Sequence, residues 1–304
     1  MLSIGLVLFF FSETLFWGRP GRAPLAELTL TWLAYSVLAW ALLCALAAFK
    51  VRSIEGLILC GALYGWLSEG VLAGTLYANL PVQISWTGLA WHDLLSVCVG
   101  LYGMNVALQH SSARGVIVAA LWGAFWGAWA TIWWQPQEGG IVTLIPAFAA
   151  HAFTQGGLLI IGFAASRTLF KTGDFASKAG QWFVVALVFV WFAFVTVLQQ
   201  PLAPFVALPL YGLTLFALWQ RGRQPSSDSR QMVLTTMLSD ERLPWTRYLV
   251  VLLMPVCAVI VYALFLTTGT VWAINAAVFW VLTPLGFTVY SSSVWRIWTR
   301  AQDA

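Results

Sequence analysis

Long runs of apolar residues, separated by short polar stretches, dominate the hydrophobic pattern of this chain. The runs lack the alternation of apolar and polar positions that a membrane-spanning β-strand requires, and most approach the ~20 residues that carry an α-helix across a bilayer. We therefore predict an all-α bundle of about eight to ten transmembrane helices. The predicted spans cover residues 2–17, 27–49, 56–77, 84–108, 115–134, 141–166, 181–199, 202–219, 248–267 and 271–290.

Lysine and arginine collect in every second connection between these spans, which is the pattern of cytoplasmic loops. The connections around residues 78–83, 135–140, 200–201 and 268–270 contain neither residue. We therefore predict that both termini are cytoplasmic, in a bacterial inner (cytoplasmic) membrane. The exceptions are Arg19 and Arg22 in the first loop, and they leave the placement of the first helix open. The charged connections and the C-terminal tail contain Lys50, Arg52, Arg114, Arg167, Lys171, Lys178, Arg221, Arg223, Arg230, Arg242, Arg247, Arg296 and Arg300.

The longest polar stretch, residues 221–247, separates the last two predicted spans from the others. It contains the segment Gln-Pro-Ser-Ser-Asp-Ser and a short amphipathic run, Met232 to Leu238, which is typical of an interfacial helix. We predict a main transmembrane body at 1–220 that holds the candidate site, a cytoplasmic linker at 221–247 and a two-helix hairpin at 248–304.

The composition agrees with a membrane protein and argues against a nucleic-acid partner. Of the 304 residues, 61% are hydrophobic and 9% are charged, whereas soluble domains are roughly half apolar and a quarter charged. The net charge of +4 comes from short loops, so it indicates topology rather than a nucleic-acid surface. Membrane lipids are the expected partners. The four cysteines have no C-x-x-C spacing, and no strong metal or nucleotide motif is present, so the cofactor is left open.

Three ionisable residues interrupt apolar spans at a similar predicted depth: Glu69, His92 and His151. With ~1.5 Å of rise per residue, each lies ~12 to ~15 Å from the outer end of its helix. Ionisable groups inside a membrane are costly and therefore indicate a functional site. Small or polar neighbours one turn away, such as Gly88 and Ser96 around His92, indicate that these faces point into the bundle.

Convergence of these side chains would create a site for proton transfer. Burial disfavours the charged form of a carboxylate, and a neighbouring imidazole restores it, so a Glu and His pair can share a proton. A carboxylate such as Glu69 can then deprotonate water for attack on a carbonyl, while His151 and the amide of Gln155 stabilise the oxyanion. Two histidines and one glutamate without an H-E-x-x-H spacing are weak evidence for zinc, and a metal site stays an open alternative.

Three short motifs resemble, in chain order, those of the CPBP family, which comprises CAAX proteases and bacteriocin-processing enzymes. This family of intramembrane endopeptidases has the motifs Glu-Glu-x-x-x-Arg-Gly, Phe-x-x-x-His and His-x-x-x-Asn. The first resembles Ser68-Glu69-Gly-Val-Leu-Ala73-Gly74, which lacks the leading Glu and the Arg. The second resembles Gly88-Leu-Ala-Trp-His92, with Gly in place of Phe, and the third resembles His151-Ala-Phe-Thr-Gln155, with Gln in place of Asn.

The resemblance covers roughly residues 56–166 and implies an intramembrane endopeptidase that acts on a membrane-embedded peptide. It implies that Glu69 activates water, that His92 assists, and that His151 and Gln155 form the oxyanion site. The missing Glu and Arg of the first motif leave an inactive relative as an alternative.

Two other classes of function stay open beside the hydrolase. In the first, the same ionisable pocket binds a lipid or small molecule without catalysis, or relays protons in a transporter. In the second, the protein is a structural subunit of a membrane complex, and the polar residues hold its helices together.

A stripe of indole side chains runs along the fifth predicted span, through Trp122, Trp126 and Trp129. One interpretation is a large packing or lipid-facing surface. The other is a wall that binds a flat lipid, a quinone or an isoprenoid-like ligand.

Two further acidic residues lie near the candidate site in sequence. Asp93 points roughly 100° away from His92 around an α-helix, so we expect it to meet another helix or water. Glu13, near the outer end of the first span, either joins the cavity or extends its carboxylate to the membrane surface. We favour the second for Glu13, as is common for charged side chains near helix ends.

Overall fold

The computed structural model describes residues 1–17, 19–21, 23–168, 178–223, 233–237, 243–269 and 274–302. The fold of these residues is all-α, as predicted, and consists mainly of ten long helical stretches. They are α1 (Leu2–Trp17), α2 (Leu25–Ala48), α3 (Ile54–Leu67, continued by Ser68–Leu72), α4 (Ile84–Gly103, continued by Met104–His110), α5 (Ser112–Trp134), α6 (Ile145–Thr168), α7 (Lys178–Gln199), α8 (Ala203–Arg223), α9 (Trp245–Thr268) and α10 (Ile274–Gln302).

Each of these stretches overlaps one of the spans that the apolar runs predict. Seven of them, α2 and α5 to α10, are long and apolar enough to cross a membrane. The first, α1, is shorter, α3 changes from α-helical to π-helical geometry along the chain, and α4 begins π-helical and continues as an α-helix. The chain is therefore an integral membrane protein built as a helical bundle.

Local sequence explains where several helices begin and end. The hydroxyls of Ser53 and Ser111 accept hydrogen bonds from backbone N–H groups in the first turns of α3 and α5, at 3.3 and 3.1 Å. Such caps satisfy donors that the helix itself leaves unpaired. Gly74 follows α3 and Gly269 follows α9, both with a left-handed backbone (φ +73° and +64°) that glycine adopts without a steric penalty.

The last two helices pack directly against the rest of the bundle. Gly123 and Gly127 of α5 lie against the backbone of α9, so close that an added Cβ would overlap Met254 and Ala258. In the same way α10 meets α4, where the Ser85 hydroxyl donates to the carbonyl of Thr283 at 2.5 Å. The division into a body, a linker and a hairpin stays a prediction, but these contacts join α9 and α10 closely to α5 and α4.

Part of the predicted linker forms a short helix, Val233–Met237, that the bundle buries. Its residues Leu234 and Met237 are almost inaccessible, and the Val233 N–H donates to the Val51 carbonyl at 2.9 Å. The ends of the predicted amphipathic run, Met232 and Leu238, lie outside the described residues. The apolar side chains of this helix therefore contact protein.

Candidate functional site

The structure brings Glu69 and His92 together as a buried pair. Glu69 Oε1 lies 2.7 Å from His92 Nε2, and the two residues are 8% and 3% exposed. Glu69 comes from the π-helical turn Ser68–Leu72 at the end of α3, and His92 from the middle of the π-helical part of α4. The expected meeting of these two side chains, from helices joined by a short loop, is therefore observed.

Glycines on α3 allow α4 to come close enough for this pair to form. At Gly65 an added Cβ would overlap the carbonyl oxygen of Gly88 and would lie 3.2 Å from the Cβ of His92. One turn earlier, a Cβ at Gly61 would overlap the carboxylate of Asp93. Gly61 and Gly65 thus form a small-xxx-small contact, which is a common way for membrane helices to approach.

The loop between α3 and α4 covers the second carboxylate oxygen of Glu69. The Thr75 hydroxyl donates a hydrogen bond to Glu69 Oε2. Nearby, Thr87 donates to the side-chain oxygen of Gln83 at 3.0 Å. Both oxygens of Glu69 therefore have partners, and the pair lies directly beneath a loop that includes the exposed residue Thr75.

Three π-helical segments supply the ionisable residues of this region. Phe10–Thr14 carries Glu13, Ser68–Leu72 carries Glu69, and Ile84–Gly103 carries His92. A π-helix bonds residue i to i+5, and such segments are frequent at functional sites. The wider turns also direct side chains to different faces than an α-helical spacing would.

A chain of hydrogen bonds runs from Glu13 towards the Glu69–His92 pair. The Tyr35 hydroxyl donates to Glu13 Oε1 at 2.7 Å and is also 3.0 Å from the Ser68 hydroxyl, next to Glu69 in sequence. The Tyr35 ring lies beside the His92 imidazole, with 6.3 Å between ring centroids. Tyr35 therefore connects the first helix to the pair.

His151 and Gln155 line a polar cavity of about 260 Å³ that adjoins the pair. Glu13 and Tyr35 line the same cavity, as does Ala73, which follows the turn that carries Glu69. His151 Nε2 is buried and has no hydrogen-bond partner among the described residues. Of the predicted site residues, His151 and Gln155 belong to the lining of this cavity.

The four predicted catalytic residues thus fall into two adjoining groups. Glu69 and His92 form one group, and they are not among the residues that line the cavity. His151 and Gln155 form the other, and Tyr35 lines the cavity with them while its ring lies 6.3 Å from that of His92. The structure brings Glu69 and His92 into contact, and the prediction that His151 shares one pocket with them stays a prediction.

Glu13 joins the cavity, contrary to the preferred expectation that it extends to the membrane surface. Its carboxylate accepts the hydrogen bond from Tyr35 and lines the cavity with His151. The reason is that α1 is packed inside the bundle, where Ile4, Leu8 and Phe11 are buried, so its carboxylate meets protein. An acidic residue within so apolar a segment was the available sequence signal.

Asp93 lies against α3, in agreement with the expectation that it meets another helix or water. It is 1% exposed and occupies the space that Gly61 leaves on α3. The Cys98 thiol donates to Asp93 Oδ1 at 3.3 Å, and Oδ2 has no hydrogen-bond partner among the described residues. Its contacts therefore separate Asp93 from the Glu69–His92 pair.

Trp122, Trp126 and Trp129 belong to the aromatic core of the protein. They are at most 6% exposed and pack against residues of α1: Phe11 on Trp122, Phe10 on Trp126 and Phe16 on Trp129. Protein rings contact all three indoles in edge-on or tilted arrangements, and these buried indoles present little surface to a ligand. This arrangement corresponds to the packing interpretation of the stripe, and the wall for a lipid or isoprenoid-like ligand is not formed by these three residues.

Among the described residues, no three His, Cys, Asp or Glu side chains are grouped so that they could hold a metal ion. The described pair and cavity present carboxylate, imidazole, hydroxyl and amide groups that can transfer protons and form hydrogen bonds.

Comparison of the chain with protein-family models, with curated proteins and with solved structures finds no match. The resemblance to the CPBP family therefore depends on the three short motifs alone.

Proposed function

We propose that this protein is an intramembrane hydrolase of the CPBP type, in which Glu69 acts as the general base. The observation that carries the proposal is the buried contact of 2.7 Å between Glu69 and His92. A carboxylate held against an imidazole in a place with little water is suited to accept a proton and return it. The polar cavity with His151 and Gln155 adjoins this pair and supplies hydrogen-bond donors.

In the proposed reaction Glu69 accepts a proton from water, and the water oxygen forms a bond with the carbonyl carbon of a membrane-embedded peptide. The carbonyl oxygen becomes an oxyanion, which accepts hydrogen bonds from His151 and the Gln155 amide. Collapse of the tetrahedral intermediate breaks the C–N bond, and Glu69 returns the proton to the leaving amine. His92 holds the Glu69 carboxylate in position.

The proposal is tested on membranes that contain either the full-length wild-type chain or its Glu69→Gln variant. Both are incubated in H₂¹⁸O, and new peptide termini are identified by mass spectrometry. We expect cleavage products that occur only with the wild type and that carry ¹⁸O in the new carboxyl group. If the wild type gives no product beyond those of the variant, the hydrolase proposal is wrong.

One observation favours a second candidate function, the proton-coupled binding or transport of a small molecule. Hydrogen bonds join Glu13, which lines the cavity, to Tyr35, and Tyr35 to Ser68, which directly precedes Glu69 in the chain. Connected ionisable groups of this kind are typical of intramembrane proton pathways.

For this second candidate we predict that Tyr35→Phe slows proton entry into proteoliposomes by about fivefold or more, because the hydroxyl that joins Glu13 to Ser68 is lost. The measurement is the fluorescence of enclosed pyranine after an external acid pulse. Tyr102→Phe, which alters another tyrosine of the bundle on α4, is the matched control and should leave the rate unchanged. Equal rates for the wild type and Tyr35→Phe would exclude a pathway through Tyr35.

We further propose a bacterial inner membrane location with both termini cytoplasmic, because lysine and arginine occupy alternate connections. We predict that a fluorescent protein fused to the C-terminus is bright in bacterial cells. Alkaline phosphatase inserted at residues 136–139, in a connection without Lys or Arg, should be active because that loop lies outside. A dark C-terminal fusion together with an inactive inserted phosphatase would show that the topology is the opposite of the proposed one.

A further inference from the structure

A second, larger cavity lies on the other side of α3 from the Glu69–His92 contact. It is an open groove of about 570 Å³ between α2, α3, α7 and α8. Apolar side chains form most of its wall, among them Leu63 and Leu67 of α3, Val188 of α7 and Leu208 of α8. A groove of this size in a membrane-spanning bundle is large enough for part of a lipid molecule.

The side chains that line the middle of the groove are suited to contact hydrocarbon. Two tyrosines line it, and both hydroxyls are already engaged: Tyr211 donates to the Trp66 carbonyl at 3.0 Å, and Tyr64 is 2.9 Å from the Ser12 hydroxyl. Few polar groups are therefore left to orient a polar ligand there. An apolar space without polar partners does not hold ordered water, so an aliphatic chain is the ligand that suits it.

The dimensions of the groove agree with one lipid chain. Its lining on α7 extends from Gln181 to Phe192, which corresponds to ~16 Å at ~1.5 Å per residue. One leaflet of a bilayer contributes about half of a hydrocarbon core of ~30 Å. The groove therefore follows the membrane normal over roughly the depth of a single leaflet.

The two ends of the groove differ in charge. Near Val71 the Trp191 indole N–H and the Thr196 hydroxyl both donate to the Val71 carbonyl, at 2.7 and 3.2 Å, and the described residues that line the groove there include no Lys, Arg, Asp or Glu. At the opposite end the lining residues are Phe49 and Gln181.

Two exposed lysines lie at this second end. Lys50 directly follows Phe49, and Lys178 begins α7 one turn before Gln181. Two lysines beside an apolar groove complement an anionic lipid, since each basic residue near an anionic lipid surface strengthens the binding of the protein to that lipid.

We propose that the groove binds one acyl chain of an anionic phospholipid, whose phosphate is held by Lys50 and Lys178. The positive charge of the two lysines selects the headgroup, and the groove between α3 and α7 holds the acyl chain. Neither feature involves Glu69 or His92, so this site is independent of the proposed hydrolysis. The bound lipid helps to fix α7 against α2. These two helices contact each other through the rings of Trp40 and Phe183, whose centroids are 5.7 Å apart.

The test uses the delipidated full-length protein in detergent and native mass spectrometry. Phosphatidylglycerol and phosphatidylcholine with identical acyl chains are added separately. We expect the wild type to bind phosphatidylglycerol roughly 10- to 25-fold more strongly, because each of the two basic residues contributes up to roughly fivefold and independent contributions multiply. Equal binding of the two lipids by the wild type would overturn the assignment of an anionic headgroup.

Variants test the contributions of the two lysines and of the apolar groove separately. The double variant Lys50→Gln/Lys178→Gln should bind both lipids equally, whereas Arg114→Gln, which removes an exposed charge at the start of α5, should keep the preference. Ala45→Trp, which places an indole in the groove, should weaken the binding of both lipids by about tenfold.

Leu33→Trp adds bulk at an exposed position of α2 outside the groove and should leave binding unchanged. Unaltered lipid binding by the folded Ala45→Trp protein would overturn the proposal. If Ala45→Trp does not fold, Val188→Trp, on α7, is judged by the same criterion. Glu69→Gln should bind lipid like the wild type, so that loss of hydrolysis and loss of lipid binding are distinguished.

Discussion

Replacing Glu69 by Gln is expected to lower kcat/KM for the proposed hydrolysis by about 10³-fold, within the range of general-base catalysis. The amide has the same shape as the carboxylate and retains hydrogen-bonding partners in His92 and Thr75. It cannot accept a proton from water. The folded structure should therefore persist while the chemical step is lost, and the thermal midpoint in detergent should change by no more than a few degrees.

Glu55→Gln is the matched control for this prediction. Glu55 is a second buried carboxylate on the same helix, 3.7 Å from Arg296 and away from the proposed site. Its substitution should leave the peptide products of the wild type unchanged. Glu69→Asp keeps the charge but withdraws the carboxylate from His92 by about one bond, so we expect an intermediate rate. Activity of Glu69→Gln within about threefold of the wild type would exclude Glu69 as the base.

The positions of the helices could be predicted from sequence because hydrocarbon imposes a simple condition on each span. A helix in lipid needs an apolar run of fixed length, and this condition holds independently of how the helices pack. The contact between Glu69 and His92 was also accessible, because the short loop between α3 and α4 makes these helices neighbours. For two neighbouring helices, a similar depth of two side chains in the membrane therefore indicates that the side chains lie close together.

The rest of the site depends on information that depth does not contain. His151 lies on α6, which no short loop connects to α3 or α4, so its equal depth did not reveal its lateral position. The role of Tyr35 in joining Glu13 to Ser68 follows from tertiary packing of α1 and α2. The π-helical segments change which side chains share a face, and the spacing of apolar residues in the sequence does not indicate them.

Substitution of Gly65 by Ala is expected to destabilise the protein by about 3 kcal/mol, the upper range for overpacking in a tight interface. The added methyl group would overlap the Gly88 carbonyl, which belongs to the backbone and cannot move aside without displacing α4. The same displacement would separate His92 from Glu69, so proposed activity should fall with stability. Thermal unfolding in detergent, with and without the substitution, measures the first effect.

Gly157→Ala is the control that fixes the sign of this effect. A Cβ at Gly157 of α6 meets no other atom within 4 Å. Replacing a helical glycine by alanine at an open position usually stabilises a helix by roughly 0.5 to 1 kcal/mol. The two identical substitutions should therefore change the free energy of unfolding in opposite directions. If Gly65→Ala is as stable as Gly157→Ala, then close approach of α3 and α4 at Gly65 does not hold the Glu69–His92 pair together.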